Sequence, residues 1–407
     1  MSDPRNLLTS EDKLVLQSLR IEGKAWIVGG WVRDVLLGKS PGDLDIATTL
    51  TPDEVKRLFP RTIPVGEDYG TVIVRLDEGN KGEWEVTTLR EEGNYGDGRR
   101  PDNVVFGQHI ELDLARRDFT INAMAIDENG IIIDLFDGKK DLQHDIIRTV
   151  GNATERIAED GLRIMRAFRF LDKDGITVRS LDNDLEKAII ENKEMLQKVS
   201  NERIGEEFKK ILASKKSFEI LQKMEETGVL QIILKNILID LNDSSRNNPL
   251  VTLARILRRN EYNGSELYSK LRDNLKFSKK ELRLISFLHD YKNVKFEENI
   301  ESIRRFMIYL SNEQKLAILE YHQPLEFIEE LNKLENTADN ISPLVDGITL
   351  SRVTGIQPGP KLGMLKGWLF RIQIEKNITH QEEVLKSLEN IDWNNENYQT
   401  WPILSWP

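Results

Sequence analysis

The chain contains no cysteine in 407 residues. That absence excludes a disulfide framework, a thiolate nucleophile and any zinc site built on cysteine, and it is compatible with a reducing compartment. Long apolar runs are also missing: even Ile232 to Leu241 is broken by Lys235 and Asn236, so no segment reads as a membrane span. The stretch Met1-Ser2-Asp3-Pro4-Arg5 lacks the basic-then-apolar pattern of a signal peptide. A soluble, cytoplasmic protein with no membrane partner is the expectation. Positive charge is in deficit, with 57 Lys and Arg against 68 Asp and Glu and a net charge of -11. Such a balance weighs against nonspecific nucleic-acid binding, although phosphate contacts depend on local patches rather than on the total. Those patches exist at Arg99-Arg100, Arg116-Arg117, Arg163-Arg166-Arg169 and Lys276-Lys279-Lys280.

Hydrophobic periodicity divides the chain. Residues 20 to 150 alternate short β-type runs with turns: Ala25-Val28, Leu44-Thr48, Thr71-Leu76, Trp84-Leu89, Ile121-Ile126 and Ile131-Leu135. From about Ile146 onward the period becomes helical almost without interruption. This predicts an α+β protein, a small mixed-sheet head followed by an all-α remainder. No internal repeat or low-complexity tract is present. Asn242 to Pro249 reads as a loop or hinge, and Trp401 to Pro407 as either a docked tail or a frayed end.

The densest chemical signal is Gly42-Asp43-Leu44-Asp45-Ile46, shortly after Gly29-Gly30-Trp31-Val32-Arg33-Asp34. On a strand, Asp43 and Asp45 project from one face while Leu44 and Ile46 pack behind. Two carboxylates that close repel unless a cation lies between them, and Mg2+ is commonly held by one or two carboxylates together with substrate phosphates. A glycine pair lets backbone N-H groups approach a triphosphate. Val32 to Leu37 is predicted to be a helix, with Arg33 in its first turn toward an anion. Glu85, on the alternating run Trp84-Leu89, is either a third carboxylate beside this pair or an exposed strand residue.

Arg116 and Arg117 stand at the entry of an apolar stretch. Either they bind phosphate, for which the planar guanidinium is suited, or one of them forms an ion pair with Asp113 or Asp118. In Glu159-Asp160-Gly161-Leu162-Arg163-Ile164-Met165-Arg166-Ala167-Phe168-Arg169-Phe170, Asp160 and Arg163 are spaced i, i+3 on one helix face. They are either an intrahelical salt bridge or a reader of base edges. Cytosine and adenine present an amine donor beside a ring-nitrogen acceptor, whereas guanine and uracil present a carbonyl beside a ring N-H. One carboxylate and one guanidinium would therefore take C and A and refuse G and U. Arg166 and Arg169 continue the spacing, but on an ideal helix Arg169 drifts nearly opposite Asp160.

Together these segments resemble the class II tRNA nucleotidyltransferases, the CCA-adding enzymes of the polymerase-beta-like superfamily. The resemblance is carried by GGWVRD and DLDIAT, then RRDFTINAMA, IIDLFDGKKDL, EDGLRIMRAFRF, ERIGEEFKKIL at 202 to 212, and the turn Pro358-Gly359-Pro360-Lys361-Leu362-Gly363. It implies Asp43 and Asp45 as catalytic ligands of Mg2+, two ions in all. It also implies Gly30, Arg33 and Arg117 as nucleotide-binding residues, Asp160 and Arg163 as base readers, and Arg166 and Arg169 beside them. The implied architecture is a five-stranded nucleotidyltransferase head (1-148), a helical neck (149-212), a helical body (213-300) and a helical tail (301-407). The implied activity is template-independent addition of C, C and A to the 3' end of tRNA from CTP and ATP. An A-adding enzyme, a bacterial poly(A) polymerase and an inactive RNA-binding module are the alternatives. The glycine-rich, charged stretch Glu91 to Asp102 reads as a mobile loop near the site; in the family such a loop argues against an enzyme that adds only CC. An HD-type phosphohydrolase domain is not expected, because His289-Asp290 stands alone and reads as a helix-end pair. Monomer and homodimer are both left open.

Overall fold

The computed structural model describes residues 3–64, 70–76, 82–91, 105–242, 247–334 and 341–407. The chain divides into two compact units, Met1–Asn236 with Asp273–Phe277, and Ile237–Arg272 with Ser278–Pro407. The predicted loop at 91 to 102 lies, apart from Glu91, outside the described residues, as does the middle of the expected hinge at 242 to 249.

The first unit begins with α1 (Ser10–Glu22), started by a capping box between Thr9 and Asp12 that satisfies two end N-H groups. Its sheet is built from β1 (Ala25–Val28), β2 (Asp45–Thr48), β3 (Arg61–Pro64), β4 (Thr71–Arg75), β5 (Trp84–Thr88), β8 (Met124–Ile126) and β9 (Ile132–Asp134), with the small pair β6 (Arg90–Glu91) and β7 (Val105–Phe106) apart. The strand order is β3-β4-β5-β2-β1-β8-β9. All of these neighbours run antiparallel except β2 and β5, which are parallel with Asp45 opposite Glu85. Alternation is clean where one face is covered: Val72, Val74, Trp84 and Val86 are buried while Glu85 is exposed.

Seven strands, not the expected five, make this sheet. The strand the periodicity missed is β3, a short run between Pro60 and Pro64, residues that ordinarily argue against a strand and are tolerated at a sheet edge. The run Ile121 to Ile126 is also divided: a 3-10 turn covers Thr120–Asn122 before β8 starts. Helices α2 (Gly30–Leu36), α3 (Pro52–Leu58), α4 (Ile110–Ala115) and α5 (Gly138–Gln143) connect the strands.

Beyond the sheet the unit becomes helical, with α6 (Ala153–Glu159), α7 (Leu162–Arg169), α8 (Asn183–Asn192) and α9 (Asn201–Leu212). The helical run expected from Ile146 is interrupted by two-residue strands, β10 (Ile146–Ile147), β11 (Asp172–Lys173), β12 (Thr177–Val178) and β13 (Ser180–Leu181). Helices α7 and α9 pack on each other, and Ile164, Met165 and Phe168 of the first and Ile204, Phe208 and Ile211 of the second are all buried. The arginines of α7, Arg163, Arg166 and Arg169, lie between these buried positions and stay half-buried.

In its described residues the second unit contains helices and no strand of the sheets above. One core gathers Leu350, Leu362, Leu365, Leu369 and Trp401; a second is aromatic, with Phe296, Phe306 and Phe327 around Trp406. Trp406 is 1% exposed and its carbonyl accepts from the Tyr291 hydroxyl at 3.2 Å, so the terminal segment is a docked tail rather than a frayed end. His289 and Asp290 close the helix Lys279–Asp290: the buried imidazole Nε2 bonds the Tyr262 carbonyl at 2.9 Å, and Asp290 accepts from Gly264 N at 2.6 Å. No helix among the described residues is long and apolar enough to cross a membrane.

Candidate active site

Strand β1 ends at Val28, and the chain turns into α2 through Gly29, at φ 70 and ψ -135. A side chain is strained there, and a Cβ would also stand 3.1 Å from an Asp45 carboxylate oxygen and 3.3 Å from the Arg117 guanidinium. Glycine is thus what lets the backbone lie against both groups. Helix α2 starts at Gly30 rather than at Val32, which puts Arg33 just past the first three helical residues. The Arg33 guanidinium pairs with Asp34 at 2.9 Å and donates to Asn122 Oδ1 at 2.9 Å.

The two aspartates do not share one strand: β2 begins at Asp45, and Asp43 lies in the bend before it. Their alternation persists all the same, with Leu44 and Ile46 buried, Asp43 exposed and Asp45 half-buried. The Asp45 carboxyl is pushed up to about 6, first by burial, then by the like charge of Glu85, with Asp43 adding to it against Arg117 and Arg33. A carboxylate so crowded with negative charge is a place where a cation is favoured. Among the described residues no group of three or more His, Cys, Asp or Glu side chains is arranged to hold a metal by itself. Two carboxylates that leave the rest of the shell to substrate oxygens match the habit of Mg2+ rather than that of a structural metal.

Both arginines after α4 are anchored by one residue. Arg116 pairs with Asp113, and Arg117 reaches the same carboxylate at 3.2 Å. Asp113 is 1% exposed; burial works to raise its carboxyl, but the two guanidiniums outweigh it and hold it below the usual range. The ion pair foreseen for one arginine therefore involves both, and it orients them without removing them from the cavity. Asp118 turns instead to α7, accepting from Arg166 Nε at 2.7 Å and from Asn122 Nδ2 at 3.3 Å. Arg33, Asn122, Asp118 and Arg166 form one continuous chain of hydrogen bonds.

At Asp160 the structure departs from the expected single helix. Asp160 is extended, at φ -148 and ψ 105, and it ends α6; Gly161 follows, and α7 starts at Leu162. The corner needs glycine because a Cβ there would come within 2.6 Å of the Met195 carbonyl oxygen. Asp160 Oδ1 accepts from Leu162 N at 2.9 Å, and Oδ2 accepts from Arg203 of α9 at 2.9 Å. Arg163 pairs with Glu159, which also holds Arg156. The i, i+3 salt bridge is thus replaced by separate partners for Asp160 and Arg163. With the helix broken, Arg169 is no longer carried away from Asp160, and it pairs with Glu207 at 3.3 Å.

These groups converge on one cavity of about 640 Å³, lined among others by Gly30, Arg33, Asp45, Glu85, Arg117, Asp160, Arg163, Arg166 and Arg169. Of the catalytic and nucleotide-binding residues expected from the sequence, Asp43 alone lies off its lining; it borders a neighbouring cavity of about 740 Å³ that shares Asp45 and Glu85. Sequence reasoning gave no role to Asn122, Phe170 or Arg203, all on the lining. Arg203 lies in the ERIGEEF segment and Phe170 directly follows Arg169, so both were in view, but their convergence is tertiary.

The head and part of the helical region match known families: residues 25–148 match the Poly A polymerase head domain, and residues 180–239 match the probable RNA and SrmB- binding site of polymerase A. A CCA-adding enzyme from Geobacillus thermodenitrificans is 48% identical over 216 residues, and the chain spans about half its length, 52%. Similarity to a CCA-adding enzyme from Limosilactobacillus reuteri is 34% over 402 residues, covering 93% of this chain and 95% of that protein. The crystal structure of the Bacillus stearothermophilus CCA-adding enzyme in complex with CTP superposes with a TM-score of 0.76 at 27% identity, covering 96% of this chain and 98% of that one.

Proposed function

Since the chain belongs to the family of CCA-adding enzymes, tRNA nucleotidyltransferases of the polymerase-beta-like superfamily, we propose that it adds C, C and A to the 3' end of tRNA from CTP and ATP in the cytoplasm. The observation that carries this reading is the single cavity bordered by Asp45 and Glu85 on the sheet, by Arg33, Arg116 and Arg117, and by Asp160 and Arg163. It joins a place for the reacting phosphate to a place for the base. In this reading the head (1-148) performs transfer, the neck (149-212) chooses the base, and the body (213-300) and tail (301-407) hold tRNA through phosphate contacts.

Asp43 and Asp45 would hold Mg2+, with Glu85, opposite Asp45 on β5, adding negative charge beside them. Bound there, the metal supplies a lower pKa for the primer 3'-hydroxyl and charge for the α-phosphate and pyrophosphate oxygens. Arg33 and Arg117 grip the triphosphate, and Gly29 and Gly30 bring backbone close to it. Attack is an in-line displacement by positioned groups, and no covalent link to the chain is needed. Asp160 accepts from the exocyclic amine of C or A while Arg163 donates to the ring nitrogen; Arg203 and Glu159 hold these two in place. Guanine and uracil offer a carbonyl to the carboxylate and a donor to the guanidinium, and both contacts repel.

The test is a matrix of primers and nucleotides: tRNA lacking CCA, tRNA ending in CC, and generic RNA, each with one nucleoside triphosphate at a time. Addition of C to the first and of A to the second is expected. Absence of C incorporation would turn the reading to an A-adding enzyme, extension of generic RNA to a poly(A) polymerase, and silence throughout to a binding module.

A further inference from the structure

Three guanidiniums gather around one aromatic ring at the junction of α2 and α7. The guanidinium carbons of Arg33, Arg166 and Arg169 lie 5.4, 5.4 and 5.2 Å from the centroid of Phe170. Three cations so close together repel, and each has its own carboxylate to answer it: Asp34, Asp118 and Glu207. The ring itself is fixed from behind. Fully buried Phe119 meets it edge-on at 5.7 Å, and the Phe170 backbone carbonyl accepts from the buried Arg179 at 3.0 Å.

A carboxylate attracts a guanidinium by neutralising it and by occupying its N-H donors. An aromatic face attracts the same cation through its quadrupole and takes up none of those donors. Phe170 lines the cavity together with the three arginines. A fourth carboxylate in its place would compete with an incoming polyphosphate; a phenyl ring does not.

We propose that Phe170 is a positioning residue for the triphosphate, its ring holding Arg33, Arg166 and Arg169 in one cluster with donors left for phosphate oxygens. The proposal rests on the nucleotidyl-transfer reading and adds to it a residue that no reading of the carboxylates or of the base would find. It also couples α2, through Arg33, to α7, through Arg166 and Arg169.

The test replaces Phe170 in the full-length protein by mono-, di- and trifluorinated phenylalanine, which keep its shape while weakening the ring quadrupole, and by leucine, which keeps apolar bulk without a π face. Affinity for inorganic tripolyphosphate and for CTP should fall stepwise with fluorination, and Phe170→Leu should weaken tripolyphosphate binding about tenfold. KM should rise by the same factor for CTP and ATP, more than kcat falls, and Phe170→Tyr should restore binding. Tripolyphosphate affinity indifferent to fluorination would overturn the proposal. So would a change confined to one nucleotide, which would make the ring a base-stacking surface. A wild-type chain that binds neither CTP nor tripolyphosphate would sink the transfer reading and this proposal with it, an outcome distinct from the other two.

Discussion

Asp113 is a residue whose removal separates anchoring from contact. It is buried and satisfied by two arginines that themselves face the cavity. Breaking a buried pair from one side leaves uncompensated charge, so Asp113→Ala should lower stability by about 3 kcal/mol in denaturant titration and also weaken nucleotide binding. A surface pair would give less than about 1 kcal/mol, and that result would remove the anchoring role. Gly29 makes a second case. Gly29→Ala adds a Cβ at positive φ against Asp45 and Arg117, so transfer should drop severalfold more than tRNA affinity does, as rate and binding assays would show. At this scale the sequence was informative about kinds of residue and poor about partners. The spacing of Asp43 and Asp45 and the arginine pair were legible because each is local. Arg203 was not, because nothing within α9 shows that its guanidinium reaches a carboxylate 43 positions away.

Among the elements, the corner between α6 and α7 is the one that matters most for selection. A glycine inside a helical pattern is commonly tolerated, and read that way Gly161 hides a helix break. The break is what turns Asp160 toward Arg203 and brings Arg169 to the cavity. Gly161→Ala would press a methyl into the Met195 carbonyl. The expected result is a lower Tm together with relaxed exclusion of UTP and GTP; unchanged selectivity would separate the corner from base choice. The strands show the reverse balance. β4 and β5 were legible from alternation, since one face of each is covered, and the central β1 and β2 from short apolar runs, whereas β3 was hidden by Pro60 before it and Pro64 at its end.

For the whole molecule, pH acts through groups buried in one charge state. In the second unit, burial first and then Lys292 push the His289 imidazole below its ordinary range, and burial does the same to His322. Depressed folded values mean that the unfolded chain takes protons first as pH falls below about 6.5. The stabilisation is complete above that pH and is lost as pH descends toward the folded values, so Tm should decrease between pH 7.5 and 5.5. His289→Gln should flatten that decrease in a thermal scan, and an unaltered slope would assign it elsewhere.

The two sets of groups, carboxylates for transfer and a carboxylate-guanidinium pair for choice, come from different elements, and Asp45 of the first set lines the same cavity as Asp160 and Arg163. If they act as described, choice can be damaged while transfer survives. The direct measurement is single-turnover incorporation of each of the four nucleotides onto tRNA by Asp160→Ala, with tRNA binding measured alongside. The account predicts that UTP and GTP gain on CTP and ATP by about tenfold or more, the scale of a lost pair of base-edge hydrogen bonds, while tRNA affinity holds. Retained preference for C and A would contradict it and leave Asp160 as a structural partner of Arg203.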